Sequence, residues 1–263
     1  MSEVLVEKRA GYRVITLNRP DRLNSFNEAM HAALRAAIEE AAADDSTRTL
    51  LLTGAGRAFC TGQDLSDRVA KPGENNVVLG GTLEQHYNPL LRKLRALPFP
   101  VVCAVNGVAA GAGANIALAC DIVLAGKSAN FIQSFAKVGL IPDSGGTWQL
   151  PRLVGDARAR GLALLAEPLP AEKAEQWGLI WKAVDDAALM GEASKLCEHF
   201  ATAPTFGLSL IKRALNAAAD NTLDQQLDLE RDSQRDASLA PDYQEGVRAF
   251  MEKRKPNFTG KKQ

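Results

Sequence analysis

"VNGVAAGAGANIALA", Val105–Ala119, leaves an apolar run through a glycine, crosses a string of small residues and enters a helix-prone segment. Its reading decides between two kinds of α/β fold. Small residues let backbone N–H groups approach whatever lies beside the turn, and a helix N-terminus is electropositive, so the turn suits a phosphate or a developing oxyanion. Within it "GAGANI" supplies the G-x-G of a dinucleotide fingerprint, but Ile116 stands where the third glycine belongs. No acidic residue follows ~20 positions on in a suitable strand context, so the dinucleotide reading fails. A G-x-x-x-x-G-K-[ST] phosphate loop is also absent from the sequence. A second glycine turn, "TGAGRAFCTGQDL" (Thr53–Leu65), also leaves a strand. Two such turns can set two backbone donors side by side, and glycines so placed equally serve tight turns and close helix packing.

Outward from these turns the first part of the chain alternates strand and helix patterns. "RVITLN" (Arg13–Asn18) alternates like a half-buried strand, and "TLLLTG" (Thr49–Gly54) is a short apolar run stopped by glycine. Between them Asn27–Ala43 is alanine-rich, with Ser25 or Asn27 available as a cap, which predicts a βαβ unit. Asp67–Gly81 has no period and reads as a mobile loop, followed by an amphipathic helix from Thr82 to Leu97 that Pro98 and Pro100 end. "VVCAVNG", "DIVLAG" and "ANFIQ" are further strands. From about Gly155 helical periodicity dominates, and the last three amphipathic segments carry apolar stripes that suit a subunit partner.

The chain has 263 residues, enough for one large α/β domain or a core with an appendage. Its 31 basic and 31 acidic residues cancel, which gives no reason to expect a nucleic-acid or anionic-membrane partner. No signal-peptide pattern and no run of ~20 apolar residues is present, so a cytoplasmic protein is expected. Cys60, Cys103, Cys120 and Cys197 are scattered without C-x-x-C pairing or a nearby histidine, which predicts neither a metal site nor disulfides. His86 beside Tyr87 can line a pocket. In "GLIPDSGGTWQL" (Gly139–Leu150), Asp143 stands before a glycine pair at a helix start, where it can cap the helix or act as a base.

"NRPDRLNSFN", "GAGRAFCTGQDL", "AVNGVAAGAGANIALACDI", "GLIPDSGGTWQLPRLVG" and the ending "KRKPNFTGK" occur in that order along nearly the whole chain. Together they resemble the enoyl-CoA hydratase/isomerase, or crotonase, family. The resemblance implies an α/β crotonase-like spiral of ββα units over residues 1–200, and a C-terminal helical trimerisation region over residues 201–263. It implies an acyl-CoA substrate, a trimer or dimer of trimers, no metal, and no separate cofactor, because CoA is part of the substrate. By the same resemblance Gln63 and Ala112 offer their N–H groups to the thioester oxygen. Thr61, Asp64, Leu65 and Ser66 match the segment that receives the adenine end of CoA, and Arg22, Leu23 and Ser25 match the loop along the CoA chain. Lys253 and Phe258 lie where relatives reach a CoA site, sometimes a neighbour's.

The departures from that pattern bear on the reaction. A hydratase of the family carries one glutamate where this chain has Asn115 and another where it has Phe135. Asn115 can hydrogen-bond a ligand but has little capacity to move a proton, and Phe135 suits a pocket wall beside Ile132, Val138 and Leu140. Isomerase members without the two glutamates often carry an acid just after "IP", here Asp143. Addition of water commonly uses a carboxylate pair, whereas one carboxylate can take a proton from one carbon and return it to another. "RLNSFNEAMH", "YNPLLRKL", "LIPDSGGTW" and "APTFGLSLIK" are similar to members that expand the ring of 1,2-epoxyphenylacetyl-CoA to an oxepin in phenylacetate breakdown. Cis-3/trans-2-enoyl-CoA isomerisation, enoyl-CoA hydration and acyl-CoA binding without turnover are the other readings.

Overall fold

The computed structural model describes residues 2–66 and 79–262. Chain order explains the architecture. β1 (Val4–Arg9) and β2 (Tyr12–Leu17) form an antiparallel hairpin, and α1 (Glu28–Ala43) carries the chain over to β3 (Thr49–Gly54), which pairs parallel with β2. The predicted βαβ unit is therefore present, preceded by a strand that the sequence reading did not separate. α1 starts as expected at Asn27, whose side chain accepts from Met30 N, and it buries Met30, His31, Leu34, Ala37, Ile38 and Ala41 at helical spacing.

From β3 to β8 the chain lays strands alternately into two sheets. β4 (Ala58–Cys60) follows β3, then α2 (Gly80–Thr82), a π turn (Leu83–Tyr87) and α3 (Asn88–Ala96) lead to β5 (Val101–Val105) and β6 (Val108–Ala110). α4 (Ala112–Leu118) leads to β7 (Ile122–Gly126) and β8 (Asn130–Ile132). One sheet takes the order β1-β2-β3-β5-β7-β10 and the other β4-β6-β8-β9. β3, β5 and β7 are parallel neighbours, as are β4, β6 and β8, so each ββα turn adds one strand to each sheet. This is the expected crotonase-like spiral. The loop expected at Asp67–Gly81 falls outside the described residues up to position 78, and its end, Gly80–Gly81, is already helical.

After a short 3-10 turn (Ser134–Val138) come α5 (Gly146–Val154), α6 (Asp156–Leu165), β9 (Leu169–Pro170), α7 (Ala171–Gln176), β10 (Lys182–Val184) and α8 (Leu189–Ala201). Alternation along the larger sheet sends Ile15, Leu50, Leu52, Val101 and Cys103 into the main core. It sends Tyr12, Val14, Leu51, Val102 and Leu124 against Leu189, Ala193 and Cys197 of α8. All four cysteines are buried and free.

α9 (Thr205–Ala217), α10 (Leu223–Leu239) and α11 (Pro241–Met251) follow. Lys212 of α9 anchors them: its ammonium donates to the carbonyls of Leu94 and Phe99 at 2.9 and 3.3 Å and pairs with Asp121 at 2.7 Å. Leu215, Leu223, Leu239, Phe250 and Met251 of these helices remain exposed. No helix among the described residues is long and apolar enough to cross a membrane.

Candidate active site

The two glycine turns nest against each other. β4 runs into Thr61-Gly62-Gln63, where Gly62 takes φ 83°, and β6 runs into Gly111 at φ 55°, which makes Ala112 the first residue of α4. A Cβ on Gly62 would lie 3.2 Å from both Ala110 O and Ala112 N, and a Cβ on Gly113 would collide with Cys60 O. Only the missing side chains let the turns approach this closely. Phe26 N donates to Gly62 O at 2.7 Å and Asp64 N to Phe26 O at 2.9 Å, a pattern that skips the N–H of Gln63. Ala112, at the first helical position, has no intrahelical acceptor for its N–H. Among the described residues both amides are left without an acceptor.

Asp143 reaches the same place from another direction. The backbone turns twice through the left-handed region, at Ser144 (φ 48°) and Gly145 (φ 76°), before α5 begins. The residue at the cap position is Gly145, with no side-chain cap, so Asp143 does not spend its carboxylate on the helix. Its carbonyl instead accepts from Gly146 N and from Asn115 Nδ2, each at 2.8 Å, while its Oδ1 accepts from Ser144 Oγ at 2.9 Å. Burial pushes the carboxyl above its ordinary range, and the Ser144 hydroxyl offsets part of that rise.

Gln63, Ala112 and Asp143 line one cavity of about 100 Å³. Leu65, Leu83, Tyr87, Phe135, Val138 and Leu140 form its apolar walls. Phe135 thus serves as a wall, as expected; Ile132 does not, since it sits beneath and its carbonyl accepts from Gly111 N at 2.8 Å. Tyr87 is buried and lines the cavity, whereas His86 does not line it: its largely covered ring stacks on His31 at 4.6 Å with its Nε2 3.4 Å from Glu28.

Asn115, expected to meet a ligand, does not line the cavity. It is fully enclosed, its amide oxygen accepts from Gln133 Nε2 at 2.8 Å, and its amide nitrogen goes to Asp143 O. An asparagine is too short to reach past the Pro142–Gly146 turn, and both ends of its amide have protein partners.

The loop expected along CoA packs on the first glycine turn. Leu23, in the left-handed region at φ 50°, accepts through its carbonyl from Thr61 N at 3.1 Å, while Arg22 is exposed. Ser25 is buried, and Arg19 bonds its carbonyl while pairing with Asp64 Oδ2 at 3.1 Å. Asp64 also accepts from Ser66 N and Oγ at 3.1 and 2.7 Å, and these bonds first, then Arg19, hold its carboxyl below the usual range. Asp64 and Ser66 are therefore joined to each other outside the cavity. Arg19 was missed, because nothing in "NRPDR" marks it over its neighbour Arg22.

Lys253 and Phe258 lie apart from this cavity within the single chain. The tail is fixed to its own helices: Asp242 accepts from Thr259 N and Gly260 N, each at 2.7 Å, and Arg48 donates to Phe258 O at 3.3 Å. Phe258 lines a separate open groove of about 860 Å³ with Tyr243 and Phe250, on the exposed C-terminal face.

A spiral of ββα turns that ends two glycine loops on one carboxylate-bearing cavity is the arrangement of a crotonase-type enzyme. The chain belongs to the enoyl-CoA hydratase/isomerase family, whose model matches residues 7–261. It is 58% identical over 261 residues, covering 99% of this chain and 100% of the relative, to the 1,2-epoxyphenylacetyl-CoA isomerase of Escherichia coli K12. It is 34% identical to the trans-2-decenoyl-[acyl-carrier-protein] isomerase of Streptococcus mutans, with 98% of each chain covered. The crystal structure of enoyl-CoA hydratase from Bacillus anthracis superposes with a TM-score of 0.90 at 30% identity, covering 98% of this chain and 100% of that one.

Proposed function

We propose that the protein isomerises an acyl-CoA thioester, ring-1,2-epoxyphenylacetyl-CoA, to the corresponding oxepin-CoA. The carrying observation is that one small apolar cavity joins two unclaimed backbone amides to a single half-buried carboxylate. The N–H groups of Gln63 and Ala112 hold the thioester oxygen and stabilise the enolate as charge develops on it; removing one donor of this kind typically costs about 3–4 kcal/mol in the barrier. Asp143 takes the proton from the α-carbon and returns it elsewhere on the same ligand. Ring expansion breaks the carbon–carbon bond shared by the epoxide and the six-membered ring, with every atom retained. The proton transfer moves a double bond into conjugation with the thioester. Burial of Asp143 suits this role, since a raised pKa eases proton exchange near neutral pH. The ring lies against Tyr87 and Phe135.

The same parts support a cis-3 to trans-2 shift in an enoyl-CoA, and the 34% identical isomerase from Streptococcus mutans favours keeping that reading. Hydration fits less well, because an enclosed asparagine and a phenylalanine stand where a hydratase has its acids. Thr61 to Ser66 and Arg22 to Ser25 form the channel for CoA. The exposed apolar face of α9–α11 meets its counterparts in a trimer, with Lys253 and Phe258 at a neighbour's CoA site.

The test is turnover of the epoxyphenylacetyl, cis-3-enoyl and trans-2-enoyl CoA esters by the wild type and Asp143→Asn, with crotonyl-CoA hydration alongside. Asp143→Asn is expected to keep CoA-ester affinity and lose ~100-fold or more in turnover. Near-wild-type turnover in that variant would remove Asp143 from the mechanism.

A further inference from the structure

Asn115 is buried and does not line the cavity, yet four hydrogen bonds converge on it and the turn beside it. Its orientation is fixed by Gln133, whose Nε2 donates to Asn115 Oδ1 at 2.8 Å; the amide nitrogen must then face Asp143 O, which it reaches at 2.8 Å. From α5, Gln149 Nε2 braces the same turn through Ser144 O at 3.3 Å and Asn115 O at 3.4 Å. The turn needs bracing, because Ser144 at φ 48° is a side-chain-bearing residue in the left-handed region, which L-residues disfavour. Asn115 also lies on α4, the seven-residue helix whose first residue is Ala112. One short helix therefore carries both a cavity-lining residue with an unclaimed amide and the group that grips the carbonyl of Asp143.

We infer that Asn115 is a positioning residue: through the Asp143 carbonyl it sets the place of the Asp143 carboxylate relative to the Ala112 amide. This deepens the proposed isomerase reading and rests on it. The position that would carry an acid in a hydratase carries here a buried strut for a different acid. A misplacement of about 1 Å can cost ~100-fold in rate, so losing the strut lowers kcat while leaving KM nearly unchanged. Asp143 and Tyr87 are the only titratable groups among the described residues lining the cavity. A loosened Asp143 moves toward solvent, and the midpoint of the acid limb of kcat moves to lower pH.

The experiment compares wild type, Asp143→Asn, Asn115→Leu, the double variant Asn115→Leu/Gln133→Leu, and Gly146→Ala, reading Tm and, on ring-1,2-epoxyphenylacetyl-CoA, kcat, KM and the pH profile of kcat. Asn115→Leu strands the Gln133 amide and lowers both Tm and kcat. The double variant removes both partners, and a Gln133 Oε1 already without a partner among the described residues, so Tm recovers. Its kcat is expected to stay down ~30-fold with KM within about twofold and the acid limb shifted. Gly146→Ala, whose methyl would collide with Asn115 Nδ2, displaces the strut with no polar group deleted and gives the same kinetic pattern. Recovery of kcat together with Tm in the double variant, full turnover in Gly146→Ala, or a loss confined to KM would each overturn the inference. Full turnover in Asp143→Asn would instead remove Asp143 from the mechanism on which the inference rests, and a wild type that does not isomerise the ester would sink the isomerase reading itself; neither outcome needs a change at Asn115.

Discussion

Tyr87 donates its hydroxyl to Gln63 Oε1 at 3.0 Å, and the amide of the same Gln63 side chain donates to Phe26 O at 2.9 Å. A ring on the π turn thus holds the side chain of a cavity-lining residue whose backbone N–H has no acceptor among the described residues. π turns of this kind recur at functional sites. Tyr87→Phe keeps the wall and deletes the tether. With a net value of about 1 kcal/mol for such a bond, a ~5-fold fall in kcat/KM is expected, read by steady-state kinetics on the preferred ester.

Asp143 weakens the fold at neutral pH. An aspartate in the unfolded chain titrates near ~3.9, and burial raises the folded value above that. Between the two values the folded protein keeps a proton that the unfolded chain has released. Stability therefore falls as pH rises through that window, and the cost is complete above the folded pKa. Asp143→Asn should melt above the wild type at pH 7–8, with the gap closing as pH approaches ~4. A constant gap across that range, measured by thermal denaturation, would contradict this.

Gly62→Ala tests the nesting of the two turns. The new methyl would sit at φ 83° and 3.2 Å from Ala112 N, against the second amide. The left-handed backbone alone costs roughly 1–2 kcal/mol, so the denaturant midpoint drops and turnover falls at least ~10-fold. Unchanged kinetics with reduced stability would separate the turn's shape from its chemistry.

Lys212→Met removes the ammonium from two carbonyls and from Asp121, all within 3.3 Å. Hydrogen bonds to a charged donor are worth roughly 1.5–3 kcal/mol, so a loss of about 2–3 kcal/mol is expected by chemical denaturation. Because this residue ties α9 to the core, hydrogen exchange should rise first in α9–α11.

The parts of the fold that follow from local pattern were readable in the sequence. Asn27 caps α1, β2 and β3 frame it, and the glycines at positions 62 and 111 mark the turns, because each signal lies within a few residues of its effect. Gln63, Ala112 and Asp143 were legible through the resemblance, and the cavity brings them together. What was not legible depends on contacts between distant residues. Arg19 acquires its role only by meeting Asp64, 45 positions away, and Asn115 only by meeting Asp143, 28 positions away. The Asp143 side chain looked able to cap a helix until Gly145 proved to hold the cap position.

The interlocked glycines have an evolutionary corollary. Where Gly62 and Gly113 meet the opposing backbone there is no atom left to trim, so the spacing of the two amides cannot be retuned by exchanging side chains. The lining can be reshaped only where it is made of side chains, among them those of Leu83, Tyr87, Phe135, Val138 and Leu140. The cavity thus joins a backbone part whose spacing is fixed to a side-chain part whose shape is open to exchange.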